Sequence, residues 1–182
     1  MPCLVCSVAS PQGLCSSCIA TVRPAPSVVR GGLLIRPALV HDGVARTLIH
    51  RLKYEASPRV ASVLAPMLAA RLPTDAAALV PVPRVITRRW RYGVDPGREL
   101  TRALARRTGL PMAEPLRPAL WTARRAGPAG RRRGIPRFGA SGRAPAGAVL
   151  VDDVVTTGAT LLAAANACGA TRAVTVTSAV RG

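Results

Sequence analysis

The run AVLVDDVVTTGAT, Ala148–Thr160, sets two adjacent carboxylates between an apolar segment and a hydroxyl-rich glycine turn. In a chain with 26 Lys and Arg but only 8 Asp and Glu, pairing two of the rare acids asks for a chemical reason. Neighbouring carboxylates can accept hydrogen bonds from a vicinal diol or coordinate a divalent cation. The TTGAT that follows supplies three hydroxyls and a glycine that lets backbone come close to a ligand. It stands directly before a helical pattern, whose N-terminal amides and dipole favour an anion. A ribose bearing a 5-phosphate matches both halves. A purely structural role also stays open, with the acids as helix caps and the threonines as turn formers.

A second constellation lies at the other end of the sequence: Cys3, Cys6, Cys15 and Cys18, spaced C-x2-C-x8-C-x2-C. Two such knuckles bring four thiolates to the corners of a tetrahedron, which suits structural Zn2+. The intervening SVASPQGL carries the Pro and Gly of a reversing loop. Two redox C-x-x-C pairs or incidental cysteines are the alternatives. So short a module cannot bury a core, so metal would have to supply its folding energy. The fifth cysteine, Cys168, sits in an apolar helical pattern and reads as a small core residue.

The elements that must position these groups alternate. Val44, Ala45, Leu48, Ile49 and Leu52 recur at helical spacing over 44–54, and a second helix follows Pro58, with Pro66 inside it. AALVPV (77–82) predicts a strand, and 96–108 a helix capped by Asp95 with Pro96 at its first position. GAVLV (147–151) predicts a buried strand, 158–168 a helix stopped by Gly169, and AVTVTSAV (173–180) a last strand. This alternation argues for an α/β parallel sheet flanked by helices. Asp152 and Asp153 would then stand just past a strand's carboxyl end, where open α/β sheets hold ligands. The expected organisation is a four-cysteine module over 1–22, a linker or extended connection over 23–43 led by RPAPSVV, and the α/β domain over 44–182.

Composition bounds the rest. With 49% hydrophobic, 19% charged and 3% aromatic residues, the chain is globular, with a core of Ala, Val and Leu. A net charge of +18 attracts phosphate, and nearly all of it is arginine, Lys53 being the only lysine. Residues 84–137 hold fifteen arginines against three acids, with Trp90, Tyr92, Trp121 and Phe138 as stacking platforms, so a nucleic-acid partner is a second class of function. Within 117–146 the chain is rich in Gly, Pro and Arg and reads as a long loop, a lid or a disordered segment. His41 and His50 read as surface or helix-side residues. No apolar run approaches the ~20 residues of a membrane span, and MPCLVCSVAS lacks the pattern of a secretory leader, so a cytoplasmic location is expected.

Four apolar residues, two acids, two apolar residues and Thr-Thr-Gly form a motif similar to the signature by which type I phosphoribosyltransferases bind phosphoribosyl pyrophosphate (PRPP). With the N-terminal cysteines, LKY at 52–54 and VPVP at 80–83, the whole chain resembles the ComF (competence protein F) family. The resemblance implies a type I phosphoribosyltransferase fold, transfer of ribose 5-phosphate from PRPP to an unknown nitrogenous acceptor, a link to DNA uptake, and an oligomer as an allowed state. It implies that Asp152 and Asp153 bind the ribose hydroxyls, that Thr156, Thr157, Gly158, Ala159 and Thr160 hold the 5-phosphate, and that Val82, Pro83 and Arg84 meet the pyrophosphate with Mg2+. Asp152, Asp153 and Arg84 would carry the catalysis, and Arg88, Arg89 and Arg91 follow them closely. RYGVDP (91–96) replaces the Arg-Gly-Phe-Asn of relatives, and RRRGIP stands where an Arg-x-x-Asn element is expected near 130–136. The alternative implied by charge is a basic single-stranded DNA-binding protein without turnover.

Overall fold

The computed structural model describes residues 1–55, 57–84, 95–118 and 137–179. Arg88 to Tyr92, Trp121, the 130–136 element and most of the loop expected over 117–146 therefore lie outside the described residues.

Five strands make the central sheet: β1 (Val28–Arg30), β2 (Leu33–Val40), β3 (Ala78–Pro81), β6 (Ala148–Val155) and β7 (Arg172–Ser178). Their order is β1-β2-β7-β6-β3. The last four are mutually parallel, and β1 closes one edge antiparallel to β2. β4 (Leu116–Pro118) and β5 (Phe138–Ala140) pair antiparallel as a separate ladder. The two ends of the expected long loop are thus held together by backbone hydrogen bonds.

The helices follow the apolar spacing. α2 (Gly43–Tyr54), α3 (Pro58–Ala69), α4 (Pro96–Thr108) and α5 (Ala159–Cys168) fall within a residue or two of their expected spans, and a short α1 (Ser16–Ala20) belongs to the cysteine segment. α3 runs through Pro66 because that ring faces solvent, where water can serve the carbonyl it leaves unpaired. Val149, Val151, Val174 and Val176 pack on one face of the sheet with leucines of α2, α3 and α4. Leu33, Ile35, Val80 and Leu150 pack on the other with Leu161, Ala164 and Cys168 of α5. This is a three-layer α/β arrangement with an aliphatic core.

Two segments differ from expectation. Residues 23–43 are extended, but they are no mere connection: they form the β1–β2 hairpin, and Leu34 to Val40 pair with Arg172 to Ser178 of β7. Arg36 and Pro37 break the apolar run, yet β2 keeps its pairing through its remaining amides. The cysteine segment is not independent of the domain either. Cys3, Leu4, Leu14 and Cys18 share one apolar cluster with Val60, Ala61 and Leu64 of α3. Arg59 also donates to the carbonyl of Pro2 at 2.7 Å.

Close packing fixes the join between β3 and α4. A Cβ on Gly97 would lie 2.6 Å from the carbonyl oxygen of Val82. Alanine normally gains about 1 kcal/mol over glycine inside a helix, but an overlap with backbone costs about 1–3 kcal/mol and wins. Gly97→Ala should lower the urea midpoint of the full chain, and a raised midpoint would show that the β3 loop does not rest on α4.

Candidate functional site

Four parallel strands end at one edge of the sheet, and the residues expected to do chemistry gather there. β6 runs on to Val155, so Asp152 and Asp153 lie within the strand rather than just past its end. They stay in register with β7, Asp152 beside Thr175. Beyond Pro81 the amide of Val82 donates to Val151, so β3 ends beside the acids. The added pairing to Val154 and Val155 was hidden because two acids look like the end of a buried strand.

The two carboxyls have different surroundings. Asp153 follows Val149 and Val151 on the side facing the α2–α4 layer, because strand side chains alternate. There its Oδ2 meets Lys53 Nζ of α2 at 3.0 Å, with only 13% of the Asp153 side chain exposed. Asp152 Oδ1 accepts from the Asp153 amide at 2.8 Å. Burial, reinforced by the Asp153 charge, pushes the Asp152 carboxyl well above the usual carboxylate range. The Asp153 amide and Lys53 oppose that rise, and the charge of Asp95 adds to it. Lys53 carried no expected role beyond its place in LKY; its being the sole lysine was the available signal.

The turn after the acids has a sequence-imposed shape. Gly158 has φ of +81° and is buried, and a Cβ there would come 3.3 Å from Cγ of Arg30 and 3.5 Å from Cδ1 of Ile35. Glycine is needed for both reasons. Thr156 and Thr157 are exposed, and Thr157 Oγ1 accepts from the Ala159 amide at 3.3 Å. The Leu162 amide then donates to the Gly158 carbonyl and starts α5, with Ala159 and Thr160 in its first turn. All five residues expected to cradle a phosphate form one turn and helix start, covered by the β1–β2 hairpin.

The β3 loop brings Pro83 and Arg84, both half-buried, towards the same edge. Asp95 anchors that loop: its Oδ2 accepts from the Arg84 amide at 3.2 Å and its Oδ1 from the Arg98 amide at 3.3 Å. The expected cap of α4 is therefore also the tie between α4 and the β3 loop. His41, expected on the surface or a helix side, is half-buried where β2 passes into α2. Its Nδ1 lies 2.8 Å from Thr177 Oγ1, which donates at 3.5 Å to the backbone carbonyl of Asp153. Burial first, then the positive charges of Lys53 and Arg46, hold this imidazole below its ordinary pKa, so it is neutral at neutral pH. His50 is exposed and packs against Tyr54, with ring centroids 4.5 Å apart.

The cysteine cluster stands apart, on α3. The Sγ atoms of Cys3, Cys6, Cys15 and Cys18 all lie within 4.8 Å of one another, close enough to ligate one metal ion. Tetrahedral Zn–S bonds of about 2.3 Å place sulfurs about 3.8 Å apart, and Cys6 and Cys15 are at 3.5 Å. Backbone amides, that of Cys6 foremost, hold Cys3 down to about 6, whereas burial followed by the neighbouring thiols pushes Cys18 up to about 12. The donors fit Zn2+, in a structural role because the four sulfurs are the whole set.

Two outcomes follow from this geometry. Purified protein should carry one Zn2+ per chain by elemental analysis, and stripping it should lower the melting temperature by about 2–4 °C for every kcal/mol lost; unchanged melting after complete removal would deny the metal a structural role. For Asp152 the sign is set by its raised folded pKa. Folding favours the protonated acid, so stability falls as pH rises from the unfolded value of about 3.9 through the folded one. Asp152→Asn should melt above wild type at neutral pH, with the gain disappearing as pH falls towards about 4. A gain that does not depend on pH would contradict the burial of an ionisable group there.

Comparison of the chain with protein-family models and with curated proteins finds no match to either.

Proposed function

We propose that this edge of the sheet binds PRPP, as a site of the type I phosphoribosyltransferase kind, and passes its ribose 5-phosphate to a nitrogenous acceptor. One observation carries the reading: two adjacent acids in a central parallel strand run straight into a glycine turn that opens α5. The spacing suits a ligand with a vicinal diol at one end of a sugar and a phosphate at the other. The β3 loop with Pro83 and Arg84 lies across the acids, where a pyrophosphate would leave.

Each residue has a task in that reading. Asp152 and Asp153 accept from the two ribose hydroxyls and fix the ring. Thr156, Thr157 and Thr160 offer hydroxyls to the 5-phosphate, and α5 directs the positive end of its dipole there. Arg84 meets charge growing on the pyrophosphate as its bond to C1 stretches in an oxocarbenium-like transition state. Mg2+ bound to the pyrophosphate would supply further neutralisation of that charge. Thr175, buried beside Asp152, and Thr177 line the strand next to the acids and give the ring a rigid floor.

Titration calorimetry of PRPP into the full chain, with and without Mg2+, tests this directly. Saturable, Mg2+-dependent binding that Asp152→Asn/Asp153→Asn loses by about a hundredfold or more is expected, since each charge-assisted hydrogen bond is worth about 1.5–3 kcal/mol. Well-folded wild type that does not bind PRPP sinks the reading. Binding of single-stranded DNA with a steep salt slope, indifferent to both acids, would instead favour the basic-protein alternative. In that alternative the exposed Arg106 and Arg107 of α4 are described contacts, while Arg98 and Arg102 are engaged with Glu114 and Glu99.

A further inference from the structure

A divalent cation is the expected guest of an acid pair, yet here a side chain of the protein already occupies the place. Lys53 Nζ stands 3.0 Å from Asp153 Oδ2, and 28% of the Lys53 side chain is exposed. Arginine supplies the positive charge everywhere else, 26 Lys and Arg residues including this single lysine. The difference is chemical. A guanidinium would grip the carboxylate with a planar fork, whereas an ammonium is a compact charge with three donors that can take one corner of a carboxylate as a metal does. The pair is largely withdrawn from solvent, so salt screens it weakly.

We infer that Lys53 is the resident counter-ion of Asp153 and holds the position of a divalent cation, so that the empty site does not bind one by itself. Asp95, Asp152 and Asp153 together would otherwise be the hard oxygen set such a cation seeks. Lys53 is pinned for this role, since its neighbours Leu52 and Ile49 are buried against the sheet and α2 cannot slide away from Asp153. Mg2+ then enters only on the ligand's phosphate oxygens. That corollary rests on the proposed function; the counter-ion role does not.

The test uses Mn2+ as the probe, titrated into zinc-loaded full chain with free Mn2+ read by electron paramagnetic resonance. Wild type should show no saturable site in the micromolar range, and Lys53→Met should gain a single site bound at least about tenfold more tightly, the effect of removing one opposing charge. Lys53→Met/Asp153→Asn should lose it again. Equal affinity in wild type and Lys53→Met overturns the inference. Lys53→Gln repeats the comparison should the methionine variant fail to fold, and wild type gives an answer of its own. As the sole lysine, Lys53 yields one side-chain resonance after 15N-lysine labelling. Asp153→Asn must shift that resonance, and micromolar Mn2+ must leave it sharp in wild type; broadening there would show a metal beside Asp153 and overturn the inference. No PRPP is present in these measurements, so their failure leaves PRPP binding to be judged separately.

Discussion

A carboxylate drawn out of water at the end of a parallel sheet needs a partner, and the contact between Lys53 and Asp153 supplies one across two layers of the fold. It ties α2 to β6, while His41 at the other end of α2 is held by Thr177 of β7. A twelve-residue helix is thereby fastened at both ends to neighbouring strands. The leucines and isoleucine between those fastenings fill one face of the sheet, so polar fixing at the ends and apolar packing along the middle specify the same placement.

The use of acids throughout the chain follows a similar economy. Asp42, Glu55, Asp75, Glu99 and Glu114 each pair with an arginine, mostly on exposed ground where such pairs stabilise little. Asp95 instead receives two backbone amides, and Asp152 one. These two, with Asp153, are the acids that organise the carboxyl edge. A protein rich in arginine has kept arginine's fork away from the adjacent acids and placed an ammonium there.

Most of the helices were legible because their apolar residues recur at helical spacing and their ends carry recognisable signals: Asp95 and Pro96 before α4, Gly169 after α5. The acid pair and its turn were legible for a different reason, since paired acids are conspicuous in so basic a chain. What the sequence concealed depends on distant pairing. Nothing local in LLIRPALV distinguishes an inner strand from an extended connection; only β7, far along the chain, makes it one. The ladder of β4 with β5 is equally non-local, and short strands of three residues leave no periodicity to read. Lys53 and His41 escaped because their importance comes from what folds against them. The acids were placed one step too late, since alternation cannot tell where a strand ends when its last residues are polar by function.

The pairing of β2 with β7 also bears on how the protein comes to be made. Leu34 finds its neighbour at Arg172, so a strand that leaves the ribosome early waits for nearly the whole domain before its second edge is covered. Contacts of such long sequence separation slow folding, and an uncovered strand edge invites association between nascent chains. The same interval keeps the cover of Gly158 from forming, since Arg30 and Ile35 belong to the waiting hairpin. A chain of high net charge is well suited to that interval, because mutual repulsion keeps unfinished copies apart. The arginine that draws phosphate to the finished protein can thus act earlier, as a solubility device during synthesis.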